Sequence, residues 1–426
     1  MDLYLAIIYV LSYIGLFTVS FYMINTFSYY KKKKFIGEKE DKTVTIIIPA
    51  FNEEKSIAKT IESALSSNYP KEKLEIIVVN DGSSDKTYEI AKKYLKNKKF
   101  KVRVFTKENG GKGTALNLGI SKANGEIIIT MDADSFIRPD TVRKMVGHFY
   151  NNQVMSVTPS MGVYKPKGAL QRVQQVEYYV GIFLRKSFAV LNAIHITPGA
   201  FSAYRKKFFE KYGGYDVGNI TEDLEIALRM QRHNFIIENA PEAVVYTIAP
   251  NKFRDLLVQR RRWYVGMIKN FWDYRDLFGV KKGAMGMLVL PLAVISVIFS
   301  VILTMYALIK TLGDLKTELL LLNSINFEFT SIFEANWYFI KTSFEKLFYK
   351  LFTNPILLLV LIFIILLFFY MHFARKNMKF EDGTKLSLLF FVALYSFLFS
   401  FWWILSFIYA AFNKKVVWRG DKWKKE

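Results

Sequence analysis

Two aspartates flank one alanine at Asp132-Ala133-Asp134, where the apolar run GEIIITMDAD (125–134) ends. On an extended strand, carboxylates two residues apart project to the same side. Held that close they repel each other unless a cation lies between them. Carboxylate oxygens, completed by phosphate oxygens, are the ligands that Mg2+ or Mn2+ prefers. A second acidic pair, Glu222-Asp223, follows Thr221 in NITEDLEIALRMQRHNF (219–235). Two readings stand for it. Acids in the first turn of a helix complement the helix dipole, or they serve chemistry. Asp81-Gly82-Ser83 is either a turn with a helix cap or a third acidic contact.

Two further stretches carry positive charge suited to phosphate. ENGGKGTALN (108–117) joins glycines, Lys112 and a helix start. Backbone N–H groups at a helix N-terminus attract phosphate, and the lysine adds charge. The spacing is not that of a Walker loop, and a plain loop is the alternative. LVQRRRWYVG (257–266) places three arginines and a tryptophan about twenty residues before a long apolar run. They form a basic collar at a membrane surface or the wall of a pocket that grips a phosphate. The longer stretch 253–275 reads as an amphipathic, basic and aromatic helix suited to the membrane surface.

The elements that must position these residues can be read from pattern. TVTIIIP (43–49), LEIIVVND (74–81), KVRVFT (101–106) and GEIIITMDAD are short β-branched runs, expected as buried strands. Helical stretches at 53–67, 84–96 and 112–122 lie between them. Alternation of this kind predicts right-handed crossovers and a mostly parallel sheet covered on both faces. Ligands bind beyond the carboxyl ends of such strands. Those ends are Phe51-Asn52-Glu53, Asp81-Gly82-Ser83 and Asp132-Ala133-Asp134, so acidic groups collect on one rim.

The whole chain has 426 residues, a formal net charge of +22 and 52% hydrophobic residues. It has no cysteine, which excludes disulfides, thiolate metal sites and a cysteine nucleophile. Of four histidines (148, 195, 233, 372) no two lie at metal-ligand spacing. The positive excess calls for an anionic partner. Nucleic acid is the weakest of these, because the charge accompanies apolar spans: 4–28, 284–309, 355–373 and 386–412, each near the ~20 residues that cross a bilayer. The first has no basic start and no small-residue cleavage site, so it reads as a retained anchor. YYKKKKF directly after it places the following segment in the cytoplasm. The basic tail prefers the same side, which three later crossings do not allow. A re-entrant run, a crossing or interfacial stretch at 326–352, or a failure of the charge rule would each resolve this.

In order, Asp-Gly-Ser, Asp-Ala-Asp, Thr-Glu-Asp and Gln-x-x-Arg-Trp, with GGKGTALN between the first two and apolar spans after the last, resemble the membrane-embedded inverting family-2 glycosyltransferases. The likeness is to their processive branch, the cellulose, chitin, hyaluronan and poly-N-acetylglucosamine synthases, and it extends over roughly 40–310. The resemblance implies an α/β fold: a GT-A-type, mostly parallel sheet in a cytoplasmic domain inserted between transmembrane α-helices. The divisions expected are a transmembrane helix at 1–30, the GT-A domain at 38–250, interfacial helices at 251–282, a membrane region of about three spans at 283–412 and a basic tail at 413–426.

The same resemblance implies roles. Phe51 and Glu53 border the nucleobase, with Asp81 in the nucleotide pocket and Lys112 near it. Asp132 faces the nucleotide. Asp134, beside Asp132, holds the Mg2+ or Mn2+ that bridges the diphosphate. Asp223, with Glu222 beside it, matches the catalytic base. Gln259, Arg262 and Trp263 match the Q-x-x-R-W signature, with Gln259 at the nucleotide sugar, Arg262 on the diphosphate and Trp263 under the acceptor sugar. Arg260 and Arg261 are left as the collar. The expected activity is transfer of a sugar, N-acetylglucosamine or glucose, from a nucleotide donor (UDP by resemblance) to a growing β-linked polysaccharide that is passed across the plasma membrane. The alternative is a single addition to a lipid acceptor at the cytoplasmic leaflet, which the tail VVWRGDKW favours. The expected partners are the nucleotide sugar, a polysaccharide or lipid acceptor and the bilayer, with no nucleic acid; the sequence points to no protein partner.

Overall fold

In a computed structural model, the structure describes residues 3–32, 42–98, 100–324 and 395–412, with Lys414 and scattered positions from 341 to 391. Most of the stretch at 326–352, read as crossing or interfacial, most of the run at 355–373 and the tail beyond 414 lie outside the described residues.

The runs expected as strands form them: β1 (Val44–Ala50), β2 (Leu74–Asp81), β3 (Lys101–Lys107) and β4 (Ile127–Met131). Every residue of β1, β2 and β4 is buried, as expected when both faces of a sheet are covered. They pair in parallel in the order β3-β2-β1-β4, with Val44 opposite Leu74 and Ile127. Alternation along each strand splits its side chains between two cores. Ile46, Ile48, Ile76 and Val78 pack on one side with α2 (Ile57–Leu65), α3 (Thr87–Lys92) and α5 (Thr141–Gly147). Ile47, Ile77 and Val79 pack on the other with α4 (Lys112–Lys122), α7 (Lys206–Tyr212) and α8 (Glu222–Arg232).

The sheet then continues beyond the expected strands. β7 (Phe201–Arg205) pairs antiparallel to β4 and to β6 (Val154–Val163); β6 runs parallel to β8 (Ile236–Thr247), and β5 (Ser135–Ile137) closes the order against β8. The sheet remains mostly parallel, but its second half is mixed. One expectation is corrected here. Asp132 and Asp134 do not extend β4. The strand stops at Met131, and a turn carries both acids into β5, closed by the Ser135 N–H donating to the Asp132 carbonyl at 3.0 Å. The Asp132 N–H donates to the Ala200 carbonyl, at the entry to β7, so pairing with β7 ends the extended run.

Three long helices complete the arrangement. α1 (Leu3–Lys32) covers the first apolar run and packs on α6 (Ala169–Val190) through Thr26 and Ser187, whose hydroxyls lie 2.6 Å apart. α9 (Phe253–Asp273) carries QRRRW. α10 (Leu290–Ser324) meets α11 (Ser396–Ala411) through Ser300 and Ser400, 2.7 Å apart. Among the described residues one helix, Met285–Thr317, is long and apolar enough to cross a membrane. The apolar helix over 397–411 is shorter, and much of the region where further crossings were expected lies outside the described residues.

Candidate active site

The rim of the sheet holds a cleft of about 340 Å³. β1 ends into Phe51 and Glu53, β2 ends at Asp81, and β4 ends into the turn with Asp132 and Asp134; all five line the cleft. So do Lys112, Glu222 and Arg262. Segments from residue 51 to residue 262 therefore meet at one place, on the edge where a parallel sheet binds ligands.

Lys112 is the hub of its charges. Its ammonium lies 2.5 Å from Asp132 Oδ1 and 3.4 Å from Glu222 Oε1, and donates to the Gly199 carbonyl at 3.3 Å. Burial works against the charge, but Asp132 and Glu222 outweigh it and hold the lysine above its ordinary pKa. Gly199 also faces the expected base: its N–H donates to Asp223 Oδ2 at 3.1 Å. A Cβ on residue 199 would stand 3.0 Å from Lys112 Nζ and 3.1 Å from Asp223 Oδ2. Only glycine lets backbone approach both groups so closely.

Asp223 stands just behind the cleft wall in the first turn of α8, with Oδ1 accepting the Leu224 N–H at 2.9 Å. Burial first, and the charge of Glu222 second, push its carboxyl up from 3.8 to about 6; Lys112, Arg262 and the Gly199 N–H pull the other way. The group is thereby tuned towards neutral pH, where a general base must work. Asp134 is pushed up further, to about 7, by burial and then by the charges of Asp132 and Glu53. Ser135 Oγ and Thr247 Oγ1 approach its Oδ1 at 3.5 and 3.4 Å, long for hydrogen bonds to a carboxylate. A buried carboxylate crowded by two others and weakly solvated by its neighbours fits an oxygen-seeking divalent cation. Asp134 and Asp132 are the residues that would hold it.

Asp81 has a different environment. Its oxygens accept the Gly110 N–H at 3.1 Å and the Gly111 N–H at 2.8 Å, and Lys107 Nζ lies 2.7 Å away. It clamps the glycine loop to the rim while lining the cleft.

The three arginines part company. Arg262 lines the cleft. Arg260 is 1% exposed, with Nη2 2.6 Å from Glu177 Oε2 on α6 and its guanidinium 4.2 Å from the Trp263 ring centroid. This corrects the collar reading for Arg260: the helix turns it inward, where a carboxylate and two indoles receive it. Arg261 lies over the Tyr409 ring of α11 at 4.4 Å. Gln259 and Trp263 are not brought to the cleft wall; Trp263 packs beside Leu256, Tyr264 and Trp402.

Sequence reasoning missed the loop Asp216-Val217-Gly218-Asn219-Ile220, which forms part of the wall. Its Asp, Gly and Asn content was a turn signal, but nothing local aimed it at the cleft. It also missed that Gly199, within PGAFSAYR, joins lysine to acid.

With this geometry in place, comparison with known proteins is direct. Residues 45–213 match the model of glycosyl transferase family 2. The chain is 31% identical over 237 residues to a poly-beta-1,6-N-acetyl-D-glucosamine synthase of Staphylococcus epidermidis, covering 54% of this chain and 57% of that one. It is 29% identical over 269 residues to the synthase of the same name from Staphylococcus aureus, covering 62% and 64%. The chain thus matches little more than half the length of these relatives. Among solved structures, a mannosyltransferase of Pyrobaculum calidifontis in complex with GDP-Man and Mn2+ superposes with a TM-score of 0.55 at 17% identity, over 95% of this chain and 100% of that one. That likeness is one of fold. Residues 45–213 thus match a family-2 glycosyltransferase domain, and the fold is the one shared with that mannosyltransferase.

Proposed function

We propose that this family-2 glycosyltransferase domain transfers a sugar from a UDP donor, with inversion, to the end of a β-linked polysaccharide, and that N-acetylglucosamine is the sugar. One observation carries the reading: Lys112, Arg262, the Asp132/Asp134 pair and Glu222 meet in one cleft of about 340 Å³, with Asp223 directly behind it. The staphylococcal synthases named above support the choice of sugar and of polymer.

In this reading the donor's diphosphate lies between Lys112 and Arg262, two cations already poised on the wall. Arginine suits phosphate through its rigid paired donors. Phe51 and Glu53 border the base, beside Asp81 and the glycine loop that it clamps. Asp132 and Asp134 would hold a Mg2+ or Mn2+, which would supply positive charge to stabilise the diphosphate as a leaving group. Asp223 takes the proton of the acceptor hydroxyl. The hydroxyl oxygen then bonds to the anomeric carbon from the face opposite the diphosphate, and the diphosphate leaves with the electron pair of the broken C–O bond. Transfer with a base on one face and a stabilised leaving group on the other inverts the anomeric centre. Trp263, on the same helix as Arg262, is assigned to the acceptor side, where the indole offers a flat apolar face to the sugar's C–H groups; Gln259 is assigned to the nucleotide sugar. The catalytic domain is assigned to the cytoplasm, with Met285–Thr317 crossing the plasma membrane and the polymer passing outward.

The test is to incubate the detergent-solubilised full chain and Mn2+ with a panel of UDP sugars and to size the product. A ladder or high polymer from UDP-N-acetylglucosamine alone is the expected result. A product one sugar longer than a lipid acceptor assigns the single-addition alternative instead, and no turnover of any donor overturns both.

A further inference from the structure

Arg262 is one member of a stripe. Arg262, Gly266 and Asn270 stand at i, i+4 and i+8 of α9 and so share one face of the helix. Each member meets the region around the cleft in its own way. Arg262 lines the cleft. Gly266 touches the residue that begins α8: a Cβ there would stand 2.3 Å from Thr221 Oγ1 and 2.5 Å from Thr221 Cγ2. Asn270, 1% exposed, exchanges hydrogen bonds with the cleft loop. Its Nδ2 shares two hydrogens among three acceptors, Asn219 Oδ1 and Thr221 Oγ1 at 2.9 Å each and the Gly266 carbonyl at 3.0 Å, and its Oδ1 accepts from Asn219 Nδ2 at 2.9 Å.

Thr221 and Asn219 are the partners that give this stripe its consequence. Thr221 is the N-cap residue of α8, yet its hydroxyl makes no capping hydrogen bond to that helix. It receives Asn270 instead. Asn219 lines the cleft, and its Oδ1 accepts the Thr221 N–H at 3.0 Å as well as Asn270. The loop wall, the start of α8 and the arginine helix are therefore joined by one set of amide and hydroxyl groups, buried at Asn270 and Thr221. Satisfied buried networks of this kind fix a single arrangement, because breaking one member leaves others unpaired.

We infer that Gly266 and Asn270 are positioning residues that hold α9 in register with the Thr221 end of α8, and so set the Arg262 guanidinium at its place on the cleft wall. The inference rests on the donor-site reading above. Neither residue reaches the cleft; both act through Arg262. A helix displaced by the width of one methyl group at Gly266 would carry Arg262 with it, four residues away on the same face. Asn270→Asp is nearly isosteric but replaces the donating Nδ2 with an oxygen facing Asn219 Oδ1 and the Gly266 carbonyl, so it opposes the contact without removing bulk.

The experiment measures binding of UDP and of uridine to the full chain in detergent. Arg262→Ala, Asn270→Asp, Gly266→Ala and the double variant Arg262→Ala/Asn270→Asp are compared with the wild type. Asn270→Asp and Gly266→Ala are expected to weaken UDP by about tenfold while uridine changes by less than about twofold, since only UDP carries the diphosphate that Arg262 grips. In the Arg262→Ala background, Asn270→Asp is expected to have no further effect on UDP, as for two changes acting through one group. A brace that merely stabilised the fold would lower the thermal midpoint and leave UDP and uridine affinities of the folded protein alone; that result overturns the inference. So do equal losses for UDP and uridine, and so does full additivity with Arg262→Ala. Should Gly266→Ala fail to fold, Asn270→Asp carries the same test. If Arg262→Ala itself leaves UDP affinity intact, the donor-site reading falls and this inference with it, an outcome distinct from the others.

Discussion

Replacing Glu222 by Gln should move the acid limb of the pH–rate profile to lower pH and leave the plateau. Asp223 is the proposed base and works ionised. Its folded-state pKa is raised from 3.8 to about 6, so activity is present above that value and lost as pH falls through it. At such a value about nine-tenths of Asp223 is ionised at pH 7 and about one-tenth at pH 5. Glu222 is the second cause of the raised value, after burial. Its removal deletes a like charge and also frees Lys112 from its 3.4 Å contact, leaving that cation to serve Asp132 and Asp223. Both changes lower the Asp223 pKa, by on the order of one unit, or ~1.4 kcal/mol. The ionised fraction at pH 5 then rises from about one-tenth to about one-half. Activity at that pH, relative to each enzyme's own plateau, should rise about fivefold. The assay is kcat for sugar transfer from about pH 4.5 to 8 with donor and Mn2+ saturating, so that Asp134 stays ionised throughout. An acid limb that stays fixed or moves upward refutes the electrostatic reasoning. Loss of the plateau itself would make Glu222 a participant in the chemistry.

Other expectations follow from the same charges. Asp134→Asn should abolish turnover, yet raise the thermal midpoint by ~2–4 °C at pH 8 in chelator. The Asp134 pKa of about 7 means that ionising it opposes folding as pH rises from about 4 to 7, and above that the full penalty is present; full wild-type activity in excess chelator would remove the metal assignment. Arg260→Ala and Arg262→Ala should give opposite phenotypes in paired melting and UDP-binding measurements. Arg260→Ala strands Glu177 and lowers the midpoint, a partner loss worth up to ~3–5 kcal/mol when fully buried, whereas Arg262→Ala spares the midpoint and loses UDP; equal behaviour would mean one electrostatic patch. A Lys96→Cys variant of this cysteine-free chain should resist an impermeant thiol reagent in intact cells, and labelling from outside would reverse the proposed topology.

What the sequence showed of the fold depended on how each strand is buried. β1, β2 and β4 are covered on both faces, so they are apolar at most positions, with Thr45, Glu75, Asn80, Asp81 and Thr130 the buried exceptions, and TVTIIIP or LEIIVVND has few other uses. The second half of the sheet gives no such signal. β6 reads VMSVTPSMGV and is buried throughout, but it buries three hydroxyls, of which two pair across the sheet: Thr158 Oγ1 with the Glu238 carbonyl and Ser160 Oγ with the Pro241 carbonyl. A proline and three hydroxyl residues look like loop until the partner strand is known. β7, the five residues FSAYR, is a strand because β4 and β6 hold it on either side. The same pairing cut β4 short and turned the Asp132–Asp134 segment away from extended geometry.

The acids of the site were legible for a related reason, since strand ends mark the rim and Asp81, Asp132 and Glu53 follow strand ends. The arginines were not, and helix geometry shows why. Successive residues of an α-helix point about 100° apart, so Arg260, Arg261 and Arg262 could never face one ligand together. Periodicity alone separates Leu256, Arg260 and Tyr264 on one line from Arg262, Gly266 and Asn270 on another. What periodicity cannot supply is the partner of each line. Glu177, which receives Arg260, lies 83 residues earlier; Asn219, which receives Asn270, lies 51 residues earlier; Tyr409 comes from α11. An arginine facing a carboxylate and indoles is a strut, whereas one lining an open cleft together with a lysine is the one proposed to grip phosphate. That difference is made by segments distant in sequence, and it is why QRRRW, read alone, supported a collar and a pocket equally well.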